Sequence, residues 1–325
     1  MIFSTRRLVF IVTLAALLLE AAEQPIPPGA KPTNLGNVGA GESPLWHPSG
    51  YLLFSGGGRI GRWNPDGTTS VFRENAGTNG LLFDLEGRLI GCESRNRRVT
   101  RTERDGSISV LADNYEGKRF NSPNDLTIDS KGRVYFTDPR YGNRADMEIK
   151  DQQGRLVEGV YRIDAPGRIT RIITHEVDRP NGILVSSGDD SLYVADNNNN
   201  NVGAPRKLLR FRLRPDGTID AASRTLIFDW KGGRGGDGLE MDREGRLYVA
   251  AGRTQPSPHE TDEFKGGVYI LTPEGKLLDV VLIPVDEVTN VAFGGKDWKT
   301  LFISAGGTLW SIPVTTPGWV RYTGR

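Results

Sequence analysis

A unit that recurs six times constrains this chain more than any other feature. It has a polar residue at the head of a short apolar strand, a tight turn, and a return strand. The clearest copy is NSPNDLTIDSKGRVYFTD, from Asn121 to Asp138. The proline before Asn124 holds its predecessor extended, so Asn124 and Asp125 enter the strand with a fixed direction. LTID alternates, SKG turns and RVYFTD returns, which reads as a β-hairpin. Further copies begin at Pro180 (PNGILVSSGDDSLYVADN) and Gly236 (GDGLEMDREGRLYVAAG), with weaker ones at Glu42, Asn79 and Asn290. The heads are thus Glu42, Asn79, Asn124, Asn181, Asp237 and Asn290, separated by 37, 45, 57, 56 and 53 positions. A second hairpin follows in five of the six segments; the last ends on TLWSIPV with little chain left for a fourth strand. Four-stranded units that cannot bury their own faces stack on one another and close into a ring. The fold class predicted is all-β, a six-bladed β-propeller, with a β-sandwich as the rival. A strand from around Lys31 to Ala40 is expected to complete the sixth blade, although KPTNLGNVGA has poor strand composition.

Forty-one glycines and nineteen prolines suit such a protein of short strands and turns. With 41 basic and 40 acidic side chains, no charge excess points to nucleic acid or a membrane surface. Cys92 is alone, which excludes an intrachain disulfide and any CxxC site, and it reads as a small packing residue. The N-terminus is a separate object. Arg6 and Arg7 precede LVFIVTLAALLL and then Glu20-Ala21-Ala22, the order of a secretory signal and too short for a comfortable membrane span. Residues 1–28 are therefore expected to be a targeting segment and 29–325 the propeller, in an exported, periplasmic or secreted protein. A retained anchor and twin-arginine export are the alternatives.

If the first strand of each blade lines the channel from one face, the six heads converge there. The connections 139–158, 197–207 and 252–266 would gather around the same mouth, as a substrate entrance needs. Two of the heads are acids and none is basic. Glu42 and Asp237 with the neutral oxygens of Asn124 and Asn181 make a hard-cation site, best suited to Ca2+, with Mg2+, Mn2+ and Zn2+ as alternatives. The bland reading is that these side chains cap strand starts. His47 lies in a turn, His175 near an outer strand end, and His259 on an entrance loop where it can reach substrate. No GxSxG occurs and no Ser-His-Asp arrangement shows in the spacing.

GESPLW from Gly41, NSPNDL from Asn121, YFTDPRYG from Tyr135, RPNGI from Arg179, YVADN from Tyr193 and GGDGLEMD from Gly235 together resemble the senescence marker protein/gluconolactonase family of six-bladed propellers. The likeness extends over roughly residues 40 to 312, and the NSPND form is similar to that of the bacterial gluconolactonases. It implies hydrolysis of a sugar lactone, a small-molecule substrate, with one divalent cation in the channel. It also implies that Glu42, Asn181 and Asp237 are metal ligands and that Asn124 is either a ligand or a substrate contact; the segment around His259 is similar to one in the family. In the mechanism expected, the cation polarises the carbonyl and activates water, and Asp237 is general base or nucleophile. Asn121 and Asp125 are expected to bond sugar hydroxyls, and Asp138 and Asp196 to orient the asparagines from behind. The rivals are a phosphotriesterase or arylesterase on the same site, and a non-catalytic binding propeller. A monomer is expected.

Overall fold

The structure, a computed structural model, describes residues 24–322 and 324. The targeting segment expected at residues 1–28 lies outside the described residues except for its last five. Those five belong to the folded body. Ile26 is buried in the core, and the carbonyls of Gln24 and Pro25 accept hydrogen bonds from Thr315. The body therefore starts earlier than the expected boundary at 29, because the segment before the first strand runs beside the C-terminal end.

Six four-stranded antiparallel sheets form the six blades of a propeller. Blade 1 starts with Glu42–His47 and blade 2 with Leu81–Phe83. Blade 3 starts with Leu126–Ile128, blade 4 with Pro180–Val185, blade 5 with Leu239–Met241 and blade 6 with Val288–Gly294. Each of blades 1 to 5 runs outward in simple up-and-down order. Blade 6 takes its outermost strand, Thr33–Ala40, from the other end of the chain, where it pairs antiparallel with Gly307–Pro313. The expected clasp is present despite its weak strand composition. Its register shifts at two places, and Gly36 and Gly39 take positive φ there, so backbone pairing and irregular twist replace side-chain propensity.

The ring is visible in the core. Six apolar clusters each bridge two neighbouring blades, and together they account for all six interfaces. Leu53 and Ile60 of blade 1 meet Leu81 and Phe83 of blade 2, for instance, and Trp46 and Phe54 of blade 1 meet Phe302 and Leu309 of blade 6. The other four join blades 2 to 3, 3 to 4, 4 to 5 and 5 to 6. A sandwich would concentrate its core between two sheets, so this distribution decides for the propeller. Cys92 belongs to the interface of blades 2 and 3, fully buried, in the packing role expected.

The inner hairpins turn by a repeated device. In DLEGR, DSKGR and DREGR the leading aspartates Asp84, Asp129 and Asp242 accept two main-chain N–H bonds from within the turn. Each also pairs with the arginine four residues on, at 2.5–2.7 Å. The glycine one residue before that arginine takes the left-handed conformation the turn demands, with φ +77°, +77° and +82°. These turns set the direction in which each inner strand leaves for the axis.

Candidate active site in the channel

Neighbouring inner strands approach closely around the axis. The Gly80 N–H donates to the Asn124 carbonyl, the Thr137 hydroxyl to the Asn181 carbonyl, and the Gly238 N–H to the Thr289 carbonyl. The seam between first and last blade closes in the same way. Asn290 Nδ2 donates to Glu42 Oε2 at 3.3 Å across 248 positions of sequence. Three inner strands lose regular register at their heads, between Glu42 and Leu45, Pro180 and Ile183, and Val288 and Asn290. Such irregularities re-aim a side chain out of the alternation of the sheet. Ser43, directly after Glu42, is held at φ +38°.

Glu42 and Asp237 are buried close enough for the charge of Asp237 to act on Glu42. Burial pushes the Glu42 carboxyl well above its ordinary range, and the charges of Asp237 and Asp125 push it further. Burial also raises Asp237, while Arg234 and the Asn181 amide pull it down. Two carboxylates that oppose each other in a desolvated place favour a cation between them. Asn124 and Asn181 are both buried, and the Oδ1 of each has no hydrogen-bond partner. A bare amide oxygen inside a protein carries a desolvation cost that a ligand removes. Two carboxylates and two unpartnered amide oxygens are the donor set of a hard cation. Among the described residues, no cluster of three or more His, Cys, Asp or Glu side chains could hold a metal ion. The fit therefore depends on the asparagines.

One oxygen of each carboxylate is tied to the protein. Oε2 of Glu42 accepts from the Ser43 N–H at 3.2 Å and from Asn290. Oδ2 of Asp237 accepts from the guanidinium of buried Arg234, which also reaches the Val288 carbonyl at 2.8 Å. This changes the reading of Asp237. Serving as ligand and as general base requires two available oxygens, and Arg234 holds one of them. Sequence reasoning missed Arg234, whose only signal was a cation three residues ahead of an expected ligand, inside a glycine-rich run. It also missed Tyr141, whose hydroxyl meets Asn181.

The remaining expected site residues fall in different places. Asn290 has its Oδ1 on the Val291 N–H and its Nδ2 on Glu42 and Ser43, so it orients Glu42 instead of offering a free oxygen. Asn121, expected to contact substrate, has no exposed surface; its Nδ2 donates to the carbonyls of Asp138 and Val157, and its Oδ1 has no hydrogen-bond partner. Asp138 and Asp196, expected to orient the asparagines, bond to backbone N–H groups instead. Asp138 accepts from the N–H groups of Asn121 and Ser122, and Asp196 from those of Asp178 and Arg179. Asp125 points below the tier of heads. Its carboxylate accepts from the N–H groups of Leu126 and Ile183, and burial raises its pKa to about 7. His259 is exposed on the loop 252–266, where its carbonyl is held by Arg206. His47 stacks on Tyr51 with ring centroids 4.4 Å apart, a structural role, and His175 pairs with Asp151 at 2.9 Å.

Beneath Asp125 the axial shaft continues as a cavity of about 90 Å³ lined by all six inner strands, with Glu240 and Asn290 among its polar residues. The C-terminal segment closes its lower end. Trp319 donates its N–H to the Met241 carbonyl, and Arg321 reaches the carbonyls of Ile128 and Ser186 and the carboxylate of Asp189. The Tyr322 ring lies 5.6 Å from that of Phe83. Access to the tier of heads is therefore from the face that carries the long connections.

Residues 40–307 match a family model described as SMP-30/Gluconolactonase/LRE-like region. The chain belongs to the SMP-30/gluconolactonase/LRE-like family. Within the curated proteins this member is 32% identical to a gluconolactonase of Zymomonas mobilis over 305 residues, 85% of this chain and 79% of that one. It is 29% identical to regucalcin of Oryctolagus cuniculus, over 82% of this chain and 83% of the relative. A solved structure of a gluconolactonase from Xanthomonas campestris superposes with a TM-score of 0.73 at 29% identity, covering 90% of this chain and 91% of the other. These relatives agree with the six-bladed architecture and with the family resemblance carried by the GESPLW, NSPND and RPNGI segments.

Proposed function

We propose that this protein hydrolyses a sugar lactone at the upper end of its channel, with a divalent cation held by Glu42, Asn124, Asn181 and Asp237. The observation that carries the reading is the pair of buried, unpartnered amide oxygens of Asn124 and Asn181, together with two buried carboxyls of which one is raised by the charge of the other. Membership of a family whose relatives include named gluconolactonases supports the lactone as substrate. An all-oxygen donor set favours Ca2+ over Zn2+, which prefers imidazole and thiolate. When bound, such a cation supplies Lewis acidity for the ester carbonyl and for water. The chain's own residues supply the frame. Arg234 opposes the burial that raises Asp237 and fixes the direction of its carboxylate, and Asn290 does the same for Glu42 through a neutral hydrogen bond. Asp237 acts as a ligand in this reading. Its use as general base requires Arg234 to give up Oδ2. The closed floor of the shaft and the loops 139–158, 197–207 and 252–266 make the upper mouth the entrance for substrate. The N-terminal run behind Arg6 and Arg7 supports export of the protein.

The test removes the acids one at a time. Glu42→Ala and Asp237→Ala should each lose bound cation and gluconolactone hydrolysis while still melting cooperatively. A folded variant with undiminished activity would reject the ligand assignment. Running paraoxon beside the lactone separates a lactonase from a phosphotriesterase built on the same site.

A further inference from the structure

We infer that Tyr141 is a positioning residue: its hydroxyl fixes which way the Asn181 amide faces, so that the oxygen and not the NH2 group is presented to the channel. The inference rests on the cation-site reading above. An asparagine amide can turn over in its socket with little change of shape, and only the oxygen can ligate a cation. Something must therefore choose the orientation. Asn181 Nδ2 donates to Tyr141 Oη at 2.9 Å. A tyrosine hydroxyl alone would accept from an amide NH2 or donate to an amide oxygen, so this bond is not enough. Part of the choice comes from Asp237, whose carboxylate is hydrogen-bonded by the Asn181 amide and can only accept, and the rest is made one step further out. Tyr141 Oη lies 3.4 Å from the carbonyl of Asn197, which takes its proton. With its hydrogen directed to a carbonyl, the hydroxyl has only lone pairs to offer Asn181. The amide must then turn its NH2 toward the tyrosine, and its Oδ1 is left buried without a partner.

The relay is anchored at both ends. The Asn197 N–H donates to the Arg179 carbonyl at 3.0 Å, which fixes the carbonyl end of the strand Ser191–Asn197. The Tyr141 ring lies under the Arg179 guanidinium, 5.0 Å from ring centroid to the guanidinium carbon. Arg179 is almost completely buried and is held by Glu158 at 3.1 Å and by Asn200 at 3.0 Å. Tyr141 and Glu158 belong to the connection from blade 3, whereas Asn181, Asn197 and Asn200 belong to blade 4. The entrance loop of one blade thus sets the orientation of a ligand on the next.

The substitution that isolates this role is Tyr141→Phe, which keeps the ring beneath Arg179 and removes only the hydroxyl. Chelator-stripped wild type, Tyr141→Phe, Asn181→Asp and the double variant are titrated calorimetrically with Ca2+, and each cation-free protein is melted. Tyr141→Phe should bind Ca2+ roughly 10- to 100-fold more weakly, the scale seen when a group behind a ligand is removed. Its cation-free melting should match wild type. In the Asn181→Asp background a carboxylate presents an oxygen whichever way it turns, so the same change should cost less than about threefold, giving a non-additive cycle. Equal losses in both backgrounds, or no loss in the wild-type background, would overturn the orientation role while leaving the cation site standing. A wild type that takes up none of Ca2+, Mg2+, Mn2+ or Zn2+ would overturn the site itself, and the role of Tyr141 with it.

Discussion

Replacing Gly182 with alanine should force apart the two inner strands that carry Asn181 and Asp237. Gly182 follows Asn181 on blade 4. A Cβ built there would lie 1.9 Å from the Asp237 carbonyl oxygen, 2.9 Å from its carbon and 2.8 Å from Leu239 Cδ2. The nearest atoms are backbone, so no side chain can swing aside. Restoring an ordinary 3.4 Å contact moves the strands by about 1.5 Å. Overpacking of this kind costs about 1–3 kcal/mol, or roughly 1.5–5 °C in melting temperature for a chain of this length. The effect on the site should be larger, because ligand distances tolerate only about 0.2 Å. Ca2+ affinity should fall by roughly tenfold or more. Gly188→Ala in the same blade is the control: its Cβ would meet nothing nearer than 3.9 Å, and its φ is not in the left-handed region. The assay is thermal melting with and without chelator, together with Ca2+ titration. A Gly182→Ala protein that melts and binds like Gly188→Ala would refute the claim that these strands are at contact distance because the site needs them there.

Three further outcomes are expected. Burial pushes the Asp138 carboxyl up to about 7, against the N–H donors of Asn121 and Ser122. An acid whose pKa is higher folded than unfolded contributes fully below about pH 4 and loses stability as pH rises to about 7. The melting temperature of wild type relative to Asp138→Asn should therefore fall across that window, and a constant difference would contradict the shift. A chain starting at Gly41 leaves Gly307–Pro313 as an open edge and should associate with rising concentration in light scattering, unlike the full chain. Arg321→Met removes the hydrogen bonds to Ile128, Ser186 and Asp189 and should cost about 1–3 kcal/mol in urea unfolding; an unchanged midpoint would mean the tail does not secure the channel floor.

The ring could be read from the chain because its evidence is local and repeated. Three of the six inner hairpins announce themselves by an aspartate, a glycine and an arginine at fixed offsets, and each head stands at the front of an apolar strand. Convergence of Glu42, Asn124, Asn181 and Asp237 follows once the blades are counted. What could not be read depends on side chains meeting through closure. Asn121 and Asn124 lie three residues apart and look alike in sequence, and both leave a bare Oδ1, but Asn121 has its Nδ2 tied to two backbone carbonyls. Nothing in the spacing distinguishes them. Arg234 and Tyr141 gain their meaning from Asp237 and Asn181, and the second of these pairs spans 40 positions. That residues 24–28 belong to the folded body was hidden because a Pro-rich stretch has no strand signal, although it packs along Thr315.

The sixth blade is built from distant parts of the chain, and this has a consequence for how the protein comes into being. Glu42 is translated 248 positions before its neighbour Asn290, and the strand that mates with Thr33–Ala40 comes later still. A ribosome-bound nascent chain thus carries five blades with two unsatisfied flanks and no complete pocket. Catalytic competence should arrive abruptly with the strands of the sixth blade, and until then a holdase would have a reason to keep the two open flanks apart from other molecules.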